Sequence, residues 1–260
     1  MSTDHTTETV EVSVCDYVGV LAINRPHVRN AIDKTTADTI ADTLDNFDSD
    51  TDVRVIVITG KNGFFCAGMD LKALTATGQR PITASRGAFG IVEKPPLKPT
   101  IAAVEGAALG GGLEIALAAD IIVAADNATF GLPEVRRGLV ATAGGVLRLP
   151  IRIPRALALE MIMSGSPITA DRAERIGLVN HVVPAGNALA HARTIAAGIA
   201  ENAPMAVRAA KAVAVASAHW PDDAAFTRQR QYTDPVRTSA DAREGAAAFV
   251  EKRKPMWQDA

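Results

Sequence analysis

The spacing of apolar positions changes soon after the start of the chain. Two apolar stretches, 10–15 and 18–23, are separated by a two-residue turn and predict a short antiparallel hairpin. From Asn30 to Phe47 the apolar side chains recur at the spacing of a helix with one buried face. The polar residues before the hairpin, the first eight or nine, are expected to form a loose tail.

Later segments predict more strands and helices in alternation. Continuous apolar runs at 53–59, Thr100–Val104 and 121–124 are typical of buried strands, and a short strand starts near Thr129. A stretch with weak periodicity, 75–90, is expected to be a helix-and-loop segment. After residue 145 the helical spacing dominates, at 154–164, 169–176, 188–201, 204–218 and 240–252.

This order of elements predicts an α/β fold followed by a helical region. The helices beyond about residue 200 have no partner strands, so we place a boundary there and divide the chain into 1–200, with the strands, and 201–260. No internal repeat of fixed period is evident.

Composition narrows the functional classes. Hydrophobic residues make up 48% of the 260 residues, which is ample for a core. A net charge of −2 and an aromatic content of 4% give little support for nucleic-acid binding. No run approaches the roughly 20 apolar residues of a membrane helix, and the N-terminus lacks a secretory signal. Two isolated cysteines indicate a reducing, cytoplasmic environment.

Glycine-rich loops follow two of the predicted strands. Three glycines, 110–112, lie between the strand Thr100–Val104 and a predicted helix, and the loop 67–69 follows the strand 53–59. Free N–H groups at such places suit a developing negative charge, so the two loops together can make an oxyanion hole with two donors. Tight packing of the helix on its sheet explains the glycines equally well. The spacing fits neither a P-loop nor a dinucleotide-binding motif.

Two glutamates stand in apolar surroundings. Glu114 follows the three glycines on the first turn of a predicted helix, and Glu134 follows the short strand near Thr129. Paired carboxyls can share proton transfer when their environments separate their pKa values. The structural alternative makes Glu114 an ordinary first-turn residue and pairs Glu134 with Arg136 or Arg137.

Several motifs, in this order and spacing, resemble the crotonase superfamily of enoyl-CoA hydratases and isomerases over nearly the whole chain. The matching segments are Asn24-Arg25-Pro26, Arg29-Asn30-Ala31, Phe65-Cys66-Ala67-Gly68-Met69-Asp70-Leu71, 98–106, 110–114, Asp120-Ile121, 130–134 and 244–253. The resemblance implies a crotonase fold, a spiral of repeated ββα units with C-terminal helices used for trimerisation. It implies a homotrimer or a dimer of trimers, a coenzyme A thioester as substrate, and neither a separate cofactor nor a metal.

The same resemblance implies the reaction and the residues that carry it. The expected reaction is reversible addition of water to a 2-enoyl-CoA, giving a 3-hydroxyacyl-CoA. Glu114 is expected to help activate the water that attacks Cβ, and Glu134 to exchange the proton at Cα, while the N–H groups of Met69 and Gly111 hold the thioester oxygen. The residues expected to contact the coenzyme or the acyl group are Arg25, Val28, Asn30, Ala31, Ala67, Gly68, Asp70, Leu71, Gly110, Pro133, Phe249 and Lys252. In relatives, the last two positions reach the coenzyme from a neighbouring subunit.

Other reactions and roles stay open at this point. A sibling reading is a dehydratase on a specialised ester, such as a carnitinyl-CoA; a double-bond isomerase is disfavoured by the second glutamate. An RNA-binding relative is disfavoured by charge and composition. The segment 138–145 lacks a proline that hydratases often have after the second glutamate, which leaves the acyl group undetermined. The five histidines show no metal-binding spacing, and Cys66 is expected to be a small buried hydrophobic residue.

Overall fold

The computed structural model describes residues 3–6 and 9–260. Its strands are β1 (Thr3–Thr6), β2 (Val10–Cys15), β3 (Val18–Ile23), β4 (Val55–Gly60), β5 (Ile82–Thr83), β6 (Gly87–Ala88), β7 (Thr100–Val104), β8 (Ala107–Leu109), β9 (Ile121–Ala125), β10 (Thr129–Gly131), β11 (Ile168–Thr169) and β12 (His181–Val183). Its α-helices are α1 (Lys34–Ser49), α2 (Leu71–Thr77), α3 (Gly111–Ala118), α4 (Gly145–Arg152), α5 (Arg155–Ser164), α6 (Ala170–Arg175), α7 (Ala188–Ala200), α8 (Pro204–Ser217), α9 (Asp222–Arg237) and α10 (Ala240–Glu251). Short 3₁₀ helices occupy Pro26–Val28 and Pro133–Arg137.

A main sheet and a smaller one organise the chain. The main sheet has the strand order β1-β2-β3-β4-β7-β9-β12, and its strands from β3 to β12 are parallel. The smaller sheet has the order β11-β10-β8, with β10 parallel to β8. Along the chain, β8 follows β7 and β10 follows β9, so the chain passes twice from the main sheet to the smaller sheet. Because β8 and β10 are parallel neighbours, the segments that follow them, 110–114 and 131–134, lie at the same end of the smaller sheet.

The two faces of the main sheet are covered differently. One face packs on the large core that includes α1, α3 and the smaller sheet. The other is covered by α7, which places Ala188, Ala192, Ala196 and Ala200 on the valines and isoleucines of β3, β4 and β7. Residues four apart lie on one face of a helix, and alanine there lets the helix approach the sheet closely.

The helices after residue 200 pack mainly on one another. The contacts of α8 are chiefly with α9, and α9 also meets α10. Trp257, beyond α10, donates its indole N–H to the Glu201 carbonyl at 2.7 Å. Over residues 3–6 and 9–260, no helix combines the length and apolarity that crossing a membrane requires.

Most predicted elements are present, and the α/β class with a helical C-terminal region is confirmed. The predicted loose tail is wrong for Thr3–Thr6, which pairs with β2 as β1. Its pairing is through the backbone, and no apolar alternation in the sequence signals it. The region after 145 is mostly helical, as predicted, and it also contains β12, which adds a seventh strand to the main sheet.

Candidate active site

Two loops meet where β4 and β8 end. The Cys66 N–H donates to the Ala107 carbonyl at 3.1 Å, and the Leu109 N–H donates to the Cys66 carbonyl at 3.2 Å. Gly68 has a φ of +93°, and a Cβ on it would lie 2.9 Å from the Gly111 nitrogen. Only glycine tolerates both this backbone conformation and this approach. The loop around Gly68 therefore lies directly against the start of α3.

Each loop presents a backbone N–H group that has no acceptor among the described residues. The Ile32 N–H donates to the Gly68 carbonyl at 2.8 Å and the Asp70 N–H donates to the Ile32 carbonyl at 2.9 Å, so the backbone is fixed on both sides of Met69. The N–H groups of Met69 and Gly111 make no hydrogen bond with any residue the structure describes. Gly111 is the first residue of α3, where the helix leaves its N–H free.

Gly111 also lies under an aromatic ring. A Cβ on Gly111 would lie 2.2 Å from the ring of Phe89, which is buried and has a φ of +56°. A left-handed conformation is uncommon for a bulky residue. The sequence pattern gave no sign of Phe89, because it lies in the weakly periodic stretch after α2.

Glu114 projects from the first turn of α3 into a buried position, with 3% of its surface exposed. Its Oε1 accepts a hydrogen bond from the Gly145 N–H at 2.9 Å. Burial raises its pKa to about 7, against the effect of the Gly145 and Ala143 N–H groups and the Arg148 guanidinium, and the charge of Glu134 acts in the same direction as burial. A carboxyl pKa raised toward neutrality suits a group that both takes and gives a proton.

Glu134 lies on the 3₁₀ helix that follows β10. A Cβ on Gly110, whose φ is +55°, would lie 2.8 Å from its Oε1. Burial raises the pKa of Glu134. Its Oε2 is the buried side-chain oxygen or nitrogen without a hydrogen-bond partner among the described residues. A buried carboxylate oxygen without a partner is costly, and in a folded protein it indicates a place for a ligand or water.

The structural alternatives for the two glutamates do not account for this arrangement. Arg136 donates to the Ser164 carbonyl at 3.0 Å and to the Ser166 hydroxyl at 2.6 Å, away from Glu134. The charge of Arg137 lowers the pKa of Glu134, but neither arginine forms an ion pair with Glu134 among the described residues. Glu114 points into the protein and does not lie on a solvated helix face. The two carboxyls instead lie close enough for the charge of one to raise the pKa of the other.

Three of the residues expected at the coenzyme make internal contacts. The Asn30 side chain accepts from the Arg25 N–H at 2.8 Å and donates to the carbonyls of Lys61 and Phe64 at 3.0 Å and 2.6 Å. Arg25 and Asp70 form an ion pair with an N–O distance of 3.1 Å. All three are buried. Their side chains thus hold the loops that carry the backbone of the site.

The remaining predicted residues fall into two groups. Ala31, Ala67, Gly68, Gly110 and Pro133 belong to the segments that surround Met69, Gly111 and Glu134, with Val28 and the exposed Leu71 at the ends of those segments. Phe249, 85% exposed, and Lys252 lie at the end of α10, and within one chain they are not brought to the two glutamates.

The sequence analysis missed the groups that hold Glu114. The segment 143–145 supplies its two N–H donors, and Arg148 donates to the Val92 carbonyl at 2.6 Å beside it. Two successive glycines before a helical pattern are a signal for such a helix start. Within residues 3–6 and 9–260, no group of three His, Cys, Asp or Glu side chains is placed to hold a metal ion.

Comparison with known proteins agrees with this geometry. The family model described as enoyl-CoA hydratase/isomerase matches residues 15–260. The chain belongs to this family. An enoyl-CoA hydratase structure from Mycobacterium tuberculosis H37Rv superposes with a TM-score of 0.95 at 47% identity, covering 98% of this chain and 100% of that one. The crotonase fold and the hydro-lyase class implied by the sequence motifs are thereby confirmed.

Other similar proteins in the enoyl-CoA hydratase/isomerase family are named as carnitinyl-CoA enzymes. A carnitinyl-CoA dehydratase from Proteus mirabilis is 43% identical over 247 residues, covering 92% of this chain and 94% of that protein. A carnitinyl-CoA hydratase structure from Mycobacterium avium is 41% identical with a TM-score of 0.78, covering 98% of this chain and 100% of that one.

Proposed function

We propose that this family member is an enoyl-CoA hydratase that adds water reversibly to a 2-enoyl-CoA thioester in acyl-CoA metabolism. The observation that carries the proposal is the pair of carboxyls beside two unused backbone donors. Glu134 has a buried oxygen with no hydrogen-bond partner in the described part of the chain, and Glu114 has a pKa of about 7. Coenzyme A is here part of the substrate, and the chemistry needs no further cofactor.

The proposed mechanism assigns one task to each group. The N–H groups of Met69 and Gly111 bind the thioester oxygen and stabilise the negative charge it gains when water attacks. Removing one donor of this kind typically costs about 3 kcal/mol of barrier or somewhat more. Because the donors are backbone groups on fixed loops, they need no rearrangement during the reaction.

Proton transfer is the task of the two glutamates. Glu114, ionised, takes a proton from the water whose oxygen bonds to Cβ. Glu134, protonated, gives a proton to Cα as the enolate collapses, and the reverse reaction runs the same steps backwards. Each positioned acid or base of this kind contributes about 10²–10⁴-fold to the rate. Burial raises the pKa of both carboxyls, which makes the protonated form of each more accessible.

A dehydratase acting on a carnitinyl-type ester is the second candidate. The names of the 43% and 41% identical relatives favour it. It uses the same hole and the same carboxyls, so only the acyl group distinguishes the two. A carnitinyl ester carries a quaternary ammonium group, which an acyl pocket must accommodate.

An activity screen separates these candidates. Crotonyl-CoA, longer 2-enoyl-CoA esters and crotonobetainyl-CoA are incubated with the protein, and loss of the enoyl-thioester absorbance is followed. Turnover of the uncharged esters supports the hydratase, and turnover of crotonobetainyl-CoA alone supports the dehydratase. No turnover of any ester would overturn the proposal.

We further propose a cytoplasmic homotrimer or dimer of trimers. Large apolar side chains of the C-terminal helices are exposed in the single chain, including Phe226, Phe249 and Val250 at 77%, 85% and 79%. Exposed apolar surface of this kind is typical of subunit contacts. In such an assembly Phe249 and Lys252 would serve a neighbour's coenzyme site. Light scattering that gives the mass of one chain would contradict this.

A further inference from the structure

Three charged side chains, two of them buried and the third partly exposed, form a cluster beside the loop that carries Met69. The Arg25 guanidinium lies 2.9 Å from the Asp33 carboxylate and 3.1 Å from the Asp70 carboxylate, and it also donates to the Ala31 carbonyl. The side chains of Arg25 and Asp70 are only 11% and 8% exposed. The cluster joins the end of β3, the start of α1 and the start of α2.

Both carboxylate oxygens of Asp70 have partners within the chain. One oxygen pairs with Arg25, and the other accepts the N–H groups of Lys72 and Ala73 at 3.1 Å and 3.0 Å, which caps α2. Although burial acts to raise it, the Ala73 N–H and the Arg25 guanidinium hold the pKa of Asp70 below its ordinary value. The carboxylate is thus a fixed anion at the end of the loop.

Met69 lies immediately before this anion. Its two neighbours in the chain are both tied to Ile32, through the Gly68 carbonyl and the Asp70 N–H. The segment from Arg25 to Ile32 therefore contacts the loop that carries Met69 in two ways. Ile32 forms backbone hydrogen bonds with it, and Arg25 forms the ion pair with Asp70. These contacts hold the peptide groups on both sides of Met69, and with them the direction of the Met69 N–H.

We propose that Arg25 and Asp70 are positioning residues that aim the Met69 N–H at the thioester oxygen, and that they are not coenzyme ligands. The proposal rests on the proposed function, because it takes the Met69 N–H as an oxyanion donor. A buried guanidinium that already has three internal partners is a poor site for a phosphate. A displacement of about 1 Å at a reacting centre can cost 10²-fold in rate, so a rigid tie at this point has a catalytic purpose.

Arg25→Lys and Asp70→Asn test the proposal with little change in volume. Lysine keeps the charge but loses the fork that reaches two carboxylates. Asparagine loses the charge but keeps an oxygen that can cap α2. Lys34→Met is the matched control, because Lys34 pairs with Asp38 on the nearby surface of α1, where the side chains are 35% and 46% exposed. An exposed pair of this kind contributes little to stability.

Three measurements distinguish positioning from binding. They are kcat and KM for crotonyl-CoA, the dissociation constant of free coenzyme A, and the infrared carbonyl stretch of bound acetyl-CoA. Free coenzyme A has no thioester carbonyl to place in the oxyanion hole, and acetyl-CoA has no carbon–carbon double bond to hydrate. We expect kcat to fall about ten-fold or more in both variants. We expect coenzyme A binding to stay within about three-fold, since no phosphate contact is lost. Hydrogen bonds in the oxyanion hole lower the stretching frequency of the bound acetyl-CoA carbonyl relative to acetyl-CoA in solution. We expect most of this lowering to be absent in both variants.

The opposite pattern would overturn the proposal. Coenzyme A binding weakened about ten-fold by Arg25→Lys, with kcat and the carbonyl stretch unchanged, would make Arg25 a coenzyme ligand. Unchanged values in all three measurements would remove both residues from the site. If Arg25→Lys fails to fold, Asp70→Asn alone gives the same comparison. If the wild-type protein hydrates no enoyl-CoA, the proposed function fails, but the acetyl-CoA spectra still decide whether this ion pair aims the donor.

Discussion

Replacing Glu114 with glutamine should stabilise the protein while inactivating it. Glutamine has the same shape and can still accept the Gly145 N–H, but it carries no charge into the buried position. In the folded protein the Glu114 pKa is raised from an ordinary 4.5 to about 7. A raised carboxyl pKa favours the folded state only while the group is protonated, so this stability is present below pH 4.5 and is lost as pH rises through 7.

The size of the effect follows from the two pKa values. The shift corresponds to about 3 kcal/mol. Glu114→Gln should therefore exceed the wild type in unfolding free energy by about 1 kcal/mol at pH 5 and by about 3 kcal/mol at pH 8.5. Hydration should meanwhile fall about 10²–10⁴-fold.

Urea unfolding followed by circular dichroism, at both pH values and one protein concentration, measures the gap. Glu160→Gln is the control, because Glu160 is exposed, with its side chain 68% accessible. If the difference in unfolding free energy between Glu114→Gln and the wild type is the same at both pH values, the claim that burial raises the pKa of Glu114 is refuted.

Three further predictions test separate parts of the structure. Gly110→Ala should lower kcat about ten-fold or more, because the new Cβ would lie only 2.8 Å from the Glu134 carboxylate and must displace it. An unchanged kcat in steady-state kinetics would contradict this prediction. Iodoacetamide at pH 8 should modify the exposed Cys15 and spare Cys66, whose buried thiol has a pKa of about 12. Two adducts on the native chain, detected by mass spectrometry, would show that Cys66 is accessible. Ala192→Leu should destabilise the protein by about 1–3 kcal/mol, because the larger side chain overpacks the contact between α7 and the sheet. Ala190→Leu, on the exposed side of the same helix, should leave the stability unchanged. Equal losses of stability in thermal melts of the two variants would contradict the packing of α7.

Local patterns predicted the elements that bury their own side chains. The continuous apolar runs that became β4 and β7 carry a clear signal because every side chain in them is buried apart from the end of β4. By contrast β12 is half exposed and joins the sheet only by pairing with β9. Its position depends on a neighbour far away in sequence, which no local period can reveal. The same holds for β8, which is three residues long and lies among glycines.

The candidate site was predicted in its parts but not in its support. Glu114 and Glu134 were visible as carboxyls in apolar sequence, and the glycines as places of close backbone approach. The partners of Glu114 were not visible, because Gly145 donates through its backbone across 31 positions. The ion pair between Arg25 and Asp70 was not predicted, because a motif shows which residues recur and does not show which way a side chain points. Their ion pair is a property of the folded loops alone.

The central claim is that the partnerless oxygen of Glu134 handles the proton at Cα, and one comparison tests it most directly. Glu134→Gln and the wild type are measured side by side for turnover of crotonyl-CoA and for the dissociation constant of acetyl-CoA. The account predicts that turnover falls about 10²–10⁴-fold while acetyl-CoA binds as tightly as before. A glutamine variant that hydrates crotonyl-CoA at the wild-type rate would contradict it.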